Sequence, residues 1–303
     1  MKALVYDPDA KHGLRLGEAP DPTPGPGQAL VRIAATSLNF GEVTYLSKSY
    51  APGEVAGWDA AGVVVAAADG SGPAVGQRVV TFGWRGGWAE LRAVDTGELA
   101  VVPDAVDLGA AAALPVAGVT ALRALRRLGP LVGRRVLITG ASGGVGRFAV
   151  QLGALAGAHV VAAVGRPERG AGLTESGAAE VVSGGLADVR EPVHGVIDNV
   201  GGPLLADAYA LLAPDGLALS VGKASMAPTT IDFEQARVTN PGARIEAFGV
   251  GPGFGPDLAY LAALVAAGRL DPQVGWRGDW AQAGDAAELL LGRKVNGKAV
   301  LDI

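Results

Sequence analysis

The stretch Val136-Leu-Ile-Thr-Gly-Ala-Ser-Gly-Gly-Val-Gly-Arg147 decides the fold that we predict for this chain. Its first four residues are apolar or β-branched and predict a buried strand, and four of the next seven are glycines. From Val145 onward, apolar residues recur at helical spacing. A strand, a glycine turn and a helix N-terminus form a cradle for a dinucleotide pyrophosphate, because backbone N–H groups and the positive end of the helix dipole face the negative charge.

The spacing of these glycines is not the usual Gly-x-Gly-x-x-Gly, since the chain has Ala141-Ser-Gly-Gly-Val-Gly146 instead. Tight strand-to-helix turns that bind no ligand also use glycine. The strand before the loop and the helix after it favour nucleotide binding. We therefore expect the cofactor to contact five successive residues of the loop, which are Ser142, Gly143, Gly144, Val145 and Gly146.

Length, charge and hydropathy predict a soluble, cytoplasmic protein of two domains. With 303 residues, the chain exceeds the length at which one hydrophobic core usually keeps growing. The net charge of −5 and the absence of a Lys/Arg block argue against nucleic acid or an anionic membrane as a partner. No apolar run approaches the roughly 18 residues that span a bilayer. Residues Met1–Tyr6 read as a strand rather than a signal peptide.

The inventory of metal ligands and reactive thiols is small. The chain contains no cysteine, and its three histidines, His12, His159 and His194, lie far apart in the sequence. The lack of cysteine excludes a disulfide, a thiolate nucleophile, an Fe–S cluster and a cysteine zinc site. Isolated histidines argue against a histidine metal site as well. We expect no bound metal.

The first hundred residues read as short strands separated by Pro/Gly turns, which is typical of a compact β-barrel-like domain. The predicted strands are Ala3–Tyr6, Ala29–Thr36, Gly62–Ala68, Arg78–Thr81 and Trp88–Ala93. From Asp107 the pattern becomes helical, with an alanine-rich run before Pro115 and a second helical run that ends at Gly129-Pro130.

Strands and helices then alternate, which implies right-handed βαβ units and a parallel sheet covered on both faces. Six strands are predicted, at Arg135–Thr139, Val160–Val164, Glu180–Ser183, Val193–Asn199, Leu217–Val221 and Arg244–Phe248. Helices are predicted at Val145–Ala156, Gly170–Ser176 and Leu204–Leu212. Two more helices and a last strand at Lys298–Ile303 follow, and we expect this tail to return to the N-terminal domain.

This organisation resembles the medium-chain dehydrogenase/reductase superfamily, and several strings match its zinc-independent quinone oxidoreductase branch. The matching strings are Leu38-Asn-Phe-Gly-Glu42, Gly57-Trp-Asp-Ala-Ala-Gly62, Ala112-Ala-Leu-Pro-Val-Ala-Gly-Val-Thr-Ala121, Ala141-Ser-Gly-Gly-Val-Gly146 and Gly297-Lys-Ala-Val-Leu301. The resemblance implies an α/β protein with a GroES-like β-barrel domain and a Rossmann-type, doubly wound parallel sheet of six strands. We place the first domain at residues 1–114, joined by 256–303, and the second at 115–255.

The metal that zinc-using relatives require has no ligands at the matching positions. Those relatives carry Gly-His-Glu where this chain has Gly57-Trp58-Asp59, and cysteine is absent. An alcohol dehydrogenase needs the metal to acidify its alcohol. The resemblance therefore implies direct hydride delivery from NADPH to a polarised C=C bond or a quinone.

The choice of NADPH follows from the end of the second predicted strand. Dinucleotide enzymes of this fold place an acidic residue there for the ribose of NAD and basic residues for the phosphate of NADP. This chain has Gly165-Arg166-Pro167-Glu168-Arg169. Arg169 matches a phosphate-binding lysine of the resembling reductases, with Gly165 and Arg166 beside it. The alternative is a solvated Arg/Glu cluster at a helix start.

Further cofactor contacts are implied by the resemblance and by the rule that ligands bind at the carboxyl ends of parallel strands. They lie after the fourth, fifth and sixth strands, at Asn199, Val200, Gly201, Val221, Gly222, Phe248, Gly249 and Val250. Each of these residues is equally compatible with an ordinary turn after a strand, where glycine is common. Thr120 matches a threonine near the nicotinamide ribose, or else its hydroxyl caps a helix N-terminus. Arg293 matches a basic residue near the cofactor, or else is a surface arginine.

The reaction needs a hydrogen-bond donor where negative charge develops, and finally a proton. The candidates are Asn39, which matches an asparagine near the reactive end of the cofactor, and Tyr50, which matches a tyrosine at the substrate mouth, with Tyr45 as a third. The alternatives are a helix-capping role for Asn39 and simple packing for the tyrosines. Because none is a convincing acid, water is the simplest proton source. Trp58 and Trp84 either line an apolar pocket or belong to the core or its rim.

We thus expect an NADPH-dependent quinone reductase-like enzyme with a small-molecule acceptor. The alternatives are an enoyl-thioester or alkenal reductase of the same fold and a non-catalytic NADPH-binding protein. The resemblance also implies a homodimer in which the strand Arg244–Phe248 pairs across a two-fold axis, although Pro241-Gly242 before it is also compatible with an ordinary sheet edge.

Overall fold

The computed structural model describes residues 1–67, 69–70 and 72–303 and divides into two compact units. Unit 1 comprises Met1–Val119 and Pro252–Ile303, and unit 2 comprises Thr120–Gly251. The boundaries that we predict from the sequence lie after residue 114 and after residue 255, whereas those of the structure lie after Val119 and after Gly251. Unit 1 contains both ends of the described chain.

The N-terminal part of unit 1 is mainly β-structure. Its strands and helices are β1 (Lys2–Tyr6), β2 (Leu14–Glu18), β3 (Gln28–Leu38), α1 (Phe40–Thr44), α2 (Leu46–Ser49), β4 (Asp59–Ala67), β5 (Arg78–Phe82), β6 (Leu91–Asp95), β7 (Leu99–Val101), α3 (Leu108–Ala112) and α4 (Pro115–Arg127), the last of which continues into unit 2. The end that we predicted for β4, Ala68, lies outside the described residues.

Strand β3 is the centre of the unit 1 sheet. It pairs antiparallel with β4 along one edge and with β6 over its first half, while β4 pairs with β5 and β5 with β7. The strand predicted at Trp88–Ala93 begins only at Leu91. Trp88 and Ala89 lie instead beside β1, where Leu4 N–H donates to the Trp88 carbonyl at 2.8 Å.

Unit 2 is a parallel sheet with helices in its crossovers. Its elements are β8 (Arg135–Thr139), α5 (Gly144–Leu155), β9 (His159–Val164), β10 (Glu180–Ser183), β11 (Val193–Asp198), α6 (Pro203–Ala210), β12 (Leu212–Ser220), α7 (Phe233–Thr239) and β13 (Arg244–Ala247). Within the described residues the order is β10-β9-β8-β11-β12-β13, and every pairing is parallel. The predicted doubly wound sheet of six strands is therefore confirmed.

One predicted helix of this unit is wrong. Residues Gly170–Ser176 form turns that follow a 3₁₀ turn at Pro167–Gly170. Gly172 has φ = +76°, a left-handed conformation that interrupts a right-handed helix. The apolar residues of this short segment have helical spacing, but that signal is weak over seven residues, and the glycines favour a turn.

The C-terminal segment adds α8 (Gly255–Ala266), β14 (Val274–Asp279), α9 (Ala283–Leu291) and β15 (Lys298–Asp302) to unit 1. Strand β15 pairs antiparallel with β3, with Ala299 opposite Leu38 and Leu301 opposite Thr36, and parallel with β14. The pairing brings Lys298 next to the end of β3. In the part of the chain that the structure describes, no helix has the length and apolar character needed to cross a bilayer.

Candidate active site

The loop between β8 and α5 has the geometry that its glycines predict. Gly140 has φ = +60°, its carbonyl accepts from Gly143 N–H at 3.0 Å, and α5 begins at Gly144. A Cβ on Gly146 would overlap the backbone of Gly140 and Ala141, so the close packing of α5 on this loop requires glycine there. The first N–H groups of a helix have no intrahelical partner. The helix start therefore offers N–H groups to an anion.

The turn after β9 contacts this loop through one arginine. The Arg169 Nε donates to the Ser142 hydroxyl at 2.8 Å, and Ser142 is buried. Arg166 lies two residues after β9 and forms an exposed ion pair with Glu168 at 3.0 Å. The structure thus brings Arg169 together with the glycine loop, whereas Arg166 faces a neighbouring carboxylate, as the alternative of a solvated cluster predicts.

The residues after β11 are held by a buried aspartate that the sequence analysis did not select. Asp198 is fully buried, accepts from the Thr139 hydroxyl at 2.5 Å and accepts from Gly201 N–H at 2.7 Å. Burial raises the pKa of Asp198. The Asn199 amide donates to the Thr139 carbonyl at 2.9 Å. The carboxyl ends of β8 and β11 are therefore fixed to each other.

The remaining predicted contacts of unit 2 follow β12 and β13, with one exception. Gly222 lies so close to Asn199 that a Cβ would press on the Asn199 backbone, and Phe248 N–H donates to the Ser220 carbonyl at 3.0 Å. Because the strands are parallel, these segments lie at the carboxyl ends of the strands, on the same side of the sheet as the glycine loop. Thr120 is inside α4, which begins at Pro115, so the alternative that its hydroxyl caps a helix N-terminus is wrong.

Unit 1 contains a buried polar cluster at the meeting point of β3, β4 and β15. Its centre is Asp59, which is fully buried. One carboxylate oxygen accepts from Ser37 Oγ at 2.9 Å, from Asn39 Nδ2 at 2.9 Å and from Lys298 Nζ at 3.2 Å. The other accepts from Val116 N–H at 3.0 Å. A carboxylate with this many donors is well solvated by the protein.

Glu42 is the second carboxyl of the cluster, and one of its oxygens has only long hydrogen bonds. Its Oε1 accepts from Trp58 N–H at 2.6 Å, while its Oε2 lies 3.3 Å from both the backbone N and the Nδ2 of Asn39. Burial, and next the charge of Asp59, raise the pKa of Glu42 from 4.5 to about 8, although the charge of Lys298 acts in the opposite direction. Glu42 therefore holds its proton to a higher pH than an ordinary glutamate does.

The amide of Asn39 is engaged within this cluster. Its Nδ2 donates to Asp59 and Glu42, and its Oδ1 accepts from Lys298 Nζ at 2.6 Å. Asn39 is also the residue that precedes helix α1, as the capping alternative predicts. The predicted donation from Asn39 to a cofactor or substrate would have to replace one of these internal bonds.

Tyr50 is likewise tied to its neighbours. It is buried, its hydroxyl donates to the Trp84 carbonyl at 2.8 Å, and the Trp58 side chain hydrogen-bonds to the same hydroxyl. Burial, followed by the nearby Glu42 carboxyl, raises the pKa of Tyr50 to about 12. A phenol with that pKa is a poor proton donor at neutral pH.

Two predicted residues of unit 1 lie at helix and loop positions outside the buried cluster. Tyr45 is half-buried at the junction of α1 and α2, and the Lys48 ammonium lies 5.6 Å from the centre of its ring. Arg293 has φ = +56°, and its guanidinium lies 6.0 Å from the centre of the Phe40 ring.

Besides Asp198, three residues of unit 1 were not predicted from the sequence, namely Glu42, Asp59 and Lys298. All three lie in strings that we quoted for the family resemblance, so the signal was a charged residue inside an otherwise apolar, buried segment. No group of three His, Cys, Asp or Glu side chains among the described residues is arranged to hold a metal ion. The indole of Trp58, between Gly57 and Asp59, is not a zinc ligand.

Two family models match the chain. Residues 25–104 match the alcohol dehydrogenase GroES-like domain, and residues 176–301 match the zinc-binding dehydrogenase model. The first lies in unit 1, and the second extends from unit 2 into the C-terminal part of unit 1.

Three curated relatives illustrate the range of similar proteins. The chain is 36% identical to erythronolide synthase EryA2 of Saccharopolyspora erythraea over 72% of the chain, and it spans only 6% of that synthase. It is 32% identical to the quinone oxidoreductase of Pseudomonas aeruginosa, over 69% of each protein. It is also 32% identical to acrylyl-CoA reductase AcuI of Ruegeria pomeroyi, over 77% of the chain and 78% of the reductase.

A solved structure covers the full length of both proteins. A mycobacterial protein in complex with NADPH superposes with a TM-score of 0.87 at 26% identity, covering 100% of each chain.

Proposed function

The chain belongs to the medium-chain dehydrogenase/reductase superfamily, and we propose that it is an oxidoreductase that transfers hydride from NADPH, without a metal, to a quinone or another activated acceptor. The observation that carries this proposal is the contact between Arg169 and Ser142 at the glycine loop. It sets a cation beside a helix N-terminus, where a dinucleotide with an additional phosphate finds both a backbone cradle and a charge partner.

The residues of unit 2 fit this cofactor. The backbone of Gly143, Gly144 and Val145 would bind the pyrophosphate, and Arg169 would bind the 2′-phosphate. The segments after β11, β12 and β13 would bind the nicotinamide half. When bound, NADPH supplies the hydride, and the protein holds the nicotinamide and the acceptor in position.

The proton that completes the reduction has to come from elsewhere. Asn39 and Tyr50 both have internal hydrogen-bond partners, and the pKa of Tyr50 is raised to about 12. We therefore propose that water delivers the proton to the reduced acceptor. The rate of hydride transfer should then depend little on the hydroxyl of Tyr50.

The test is NADPH oxidation across a panel of menadione, hexenal and crotonyl-CoA. Turnover of menadione supports the quinone reductase, and turnover of crotonyl-CoA alone would support the alternative of a thioester reductase, which the similarity to acrylyl-CoA reductase and to a polyketide synthase favours. Oxidation with none of the three acceptors, together with tight NADPH binding, would refute the enzyme and favour a non-catalytic NADPH-binding protein.

We further propose that two copies pair through β13. This strand pairs with β12 on one side, and within the described residues it has no partner on the other. An unpaired strand edge is a template for pairing with a second chain. Sedimentation should give a dimer, and a monomer at micromolar concentration would refute the pairing.

A further inference from the structure

A continuous series of aromatic side chains runs through unit 1. The rings of Phe82 and Phe254 are stacked, with centres 3.7 Å apart and planes at 8°. Trp84 meets Phe82 edge to face at 4.9 Å, and Trp58 meets Trp84 edge to face at 5.2 Å with planes at 85°. The two indoles therefore form a right-angled corner on a base of stacked phenyl rings.

The series runs from the core to the surface. Phe82 and Phe254 are 2% and 0% exposed, Trp58 is half-buried, and Trp84 is 57% exposed. Trp84 therefore keeps more than half of its surface exposed while its ring contacts two other aromatic side chains. The corner thus presents indole surface to a ligand.

The corner is held in place by hydrogen bonds from buried groups. The Tyr50 hydroxyl bonds both to the Trp84 carbonyl and to the Trp58 side chain. The backbone of Trp58 is fixed on both polar atoms, since its N–H donates to Glu42 at 2.6 Å and its carbonyl accepts from Arg92 at 2.9 Å. The Trp84 indole contacts the rings of Trp58 and Phe82, so a ligand meets a surface that exists before it binds, which lowers the entropic cost of binding.

We propose that Trp58 and Trp84 bind the acceptor, and that this acceptor is a planar, electron-poor ring of the quinone class. A flat ring stacks on the face of one indole while its edge meets the other, and the electron-rich indoles favour an electron-poor partner. The acyl group of an aliphatic thioester has no ring face to stack at the reacting end of the molecule. The role of the ligand as acceptor rests on the proposed function, whereas the binding itself does not.

Calorimetric titration of the protein with menadione, in the absence of cofactor, tests the site. In Trp84→Leu the Kd for menadione should rise roughly 2- to 12-fold, and Trp58→Leu should show a change of the same order. The matched control is Trp276→Leu, which removes a tryptophan from β14 of the same unit and should leave the Kd unchanged. The KM for hexenal should change less than about twofold in Trp84→Leu.

An unchanged Kd in Trp84→Leu would overturn the inference, as would the absence of saturable menadione binding to the wild-type protein. A Trp84-dependent Kd without oxidation of NADPH by any acceptor would refute the proposed function and leave the binding site standing. Far-ultraviolet circular dichroism of Trp84→Leu checks that the variant is folded. The exposed position of Trp84 leads us to expect a native spectrum.

Discussion

Replacing Glu42 by glutamine removes a buried carboxyl whose ionisation opposes the folding of unit 1. The pKa of Glu42 is raised from 4.5 to about 8. The folded protein therefore holds this proton more tightly than the unfolded chain does. The resulting stability is fully present below pH 4.5 and is lost as the pH rises through about 8.

The size of this effect follows from the two pKa values. One pH unit of difference corresponds to about 1.36 kcal/mol. Full ionisation of Glu42 thus costs roughly 5 kcal/mol, of which roughly 3 kcal/mol falls between about pH 6 and about pH 9. Over that range, the wild-type protein should lose roughly 3 kcal/mol of unfolding free energy relative to Glu42→Gln.

Urea unfolding followed by tryptophan fluorescence measures this difference in unit 1 alone. All five tryptophans, at positions 58, 84, 88, 276 and 280, lie in unit 1. The exposed Glu18→Gln change controls for the altered net charge. Parallel stability profiles for wild type and Glu42→Gln from pH 6 to pH 9 would refute a raised pKa. The raised pKa of Glu42 would also be refuted if wild type and Glu42→Gln had identical infrared carbonyl bands of protonated carboxylic acids at neutral pH.

Three other substitutions test separate parts of the account. Arg169→Ala should raise the KM for NADPH roughly 10- to 100-fold and leave the KM for NADH unchanged. The exposed Arg190→Ala change is the control and should alter neither KM. Equal effects of Arg169→Ala on both cofactors would contradict the role of Arg169. Gly146→Ala should destabilise unit 2 by roughly 1–3 kcal/mol in thermal unfolding, because its Cβ meets backbone, and a melting curve identical to wild type would contradict the close packing. Lys298→Met leaves the Asp59 carboxylate without its cation and should cost roughly 3–5 kcal/mol in urea unfolding; the exposed Lys294→Met provides the comparison, and a similar small loss in both variants would refute the importance of the buried pair.

Much of unit 2 was predictable because its signals are local. The apolar run of β8, the glycine loop and the helical spacing of α5 lie within about two dozen residues, and each local choice agrees with the fold. The predicted helix at Gly170–Ser176 was wrong for a local reason as well. Its apolar spacing favoured a helix and its glycines opposed one, and Gly172 adopts a left-handed conformation. Strand β3 was predicted at Ala29–Thr36 and extends to Gln28 and Leu38.

The buried cluster of unit 1 was not predictable in the same way. Lys298 and Asp59 are 239 residues apart in sequence, so no periodicity relates them. The family resemblance assigns Asn39 and Tyr50 to the ligand, yet the structure engages both in internal hydrogen bonds. The sequence identifies a polar residue within an apolar segment, but its partners depend on pairing between distant strands.

Calorimetric titration of the wild-type protein with NADPH and with NADH tests the central claim most directly. The account predicts saturable binding of NADPH at one site per chain, at least about tenfold tighter than binding of NADH, because Arg169 beside the glycine loop meets a phosphate that NADH lacks. Equal affinity for the two cofactors, or no binding of either, would contradict it.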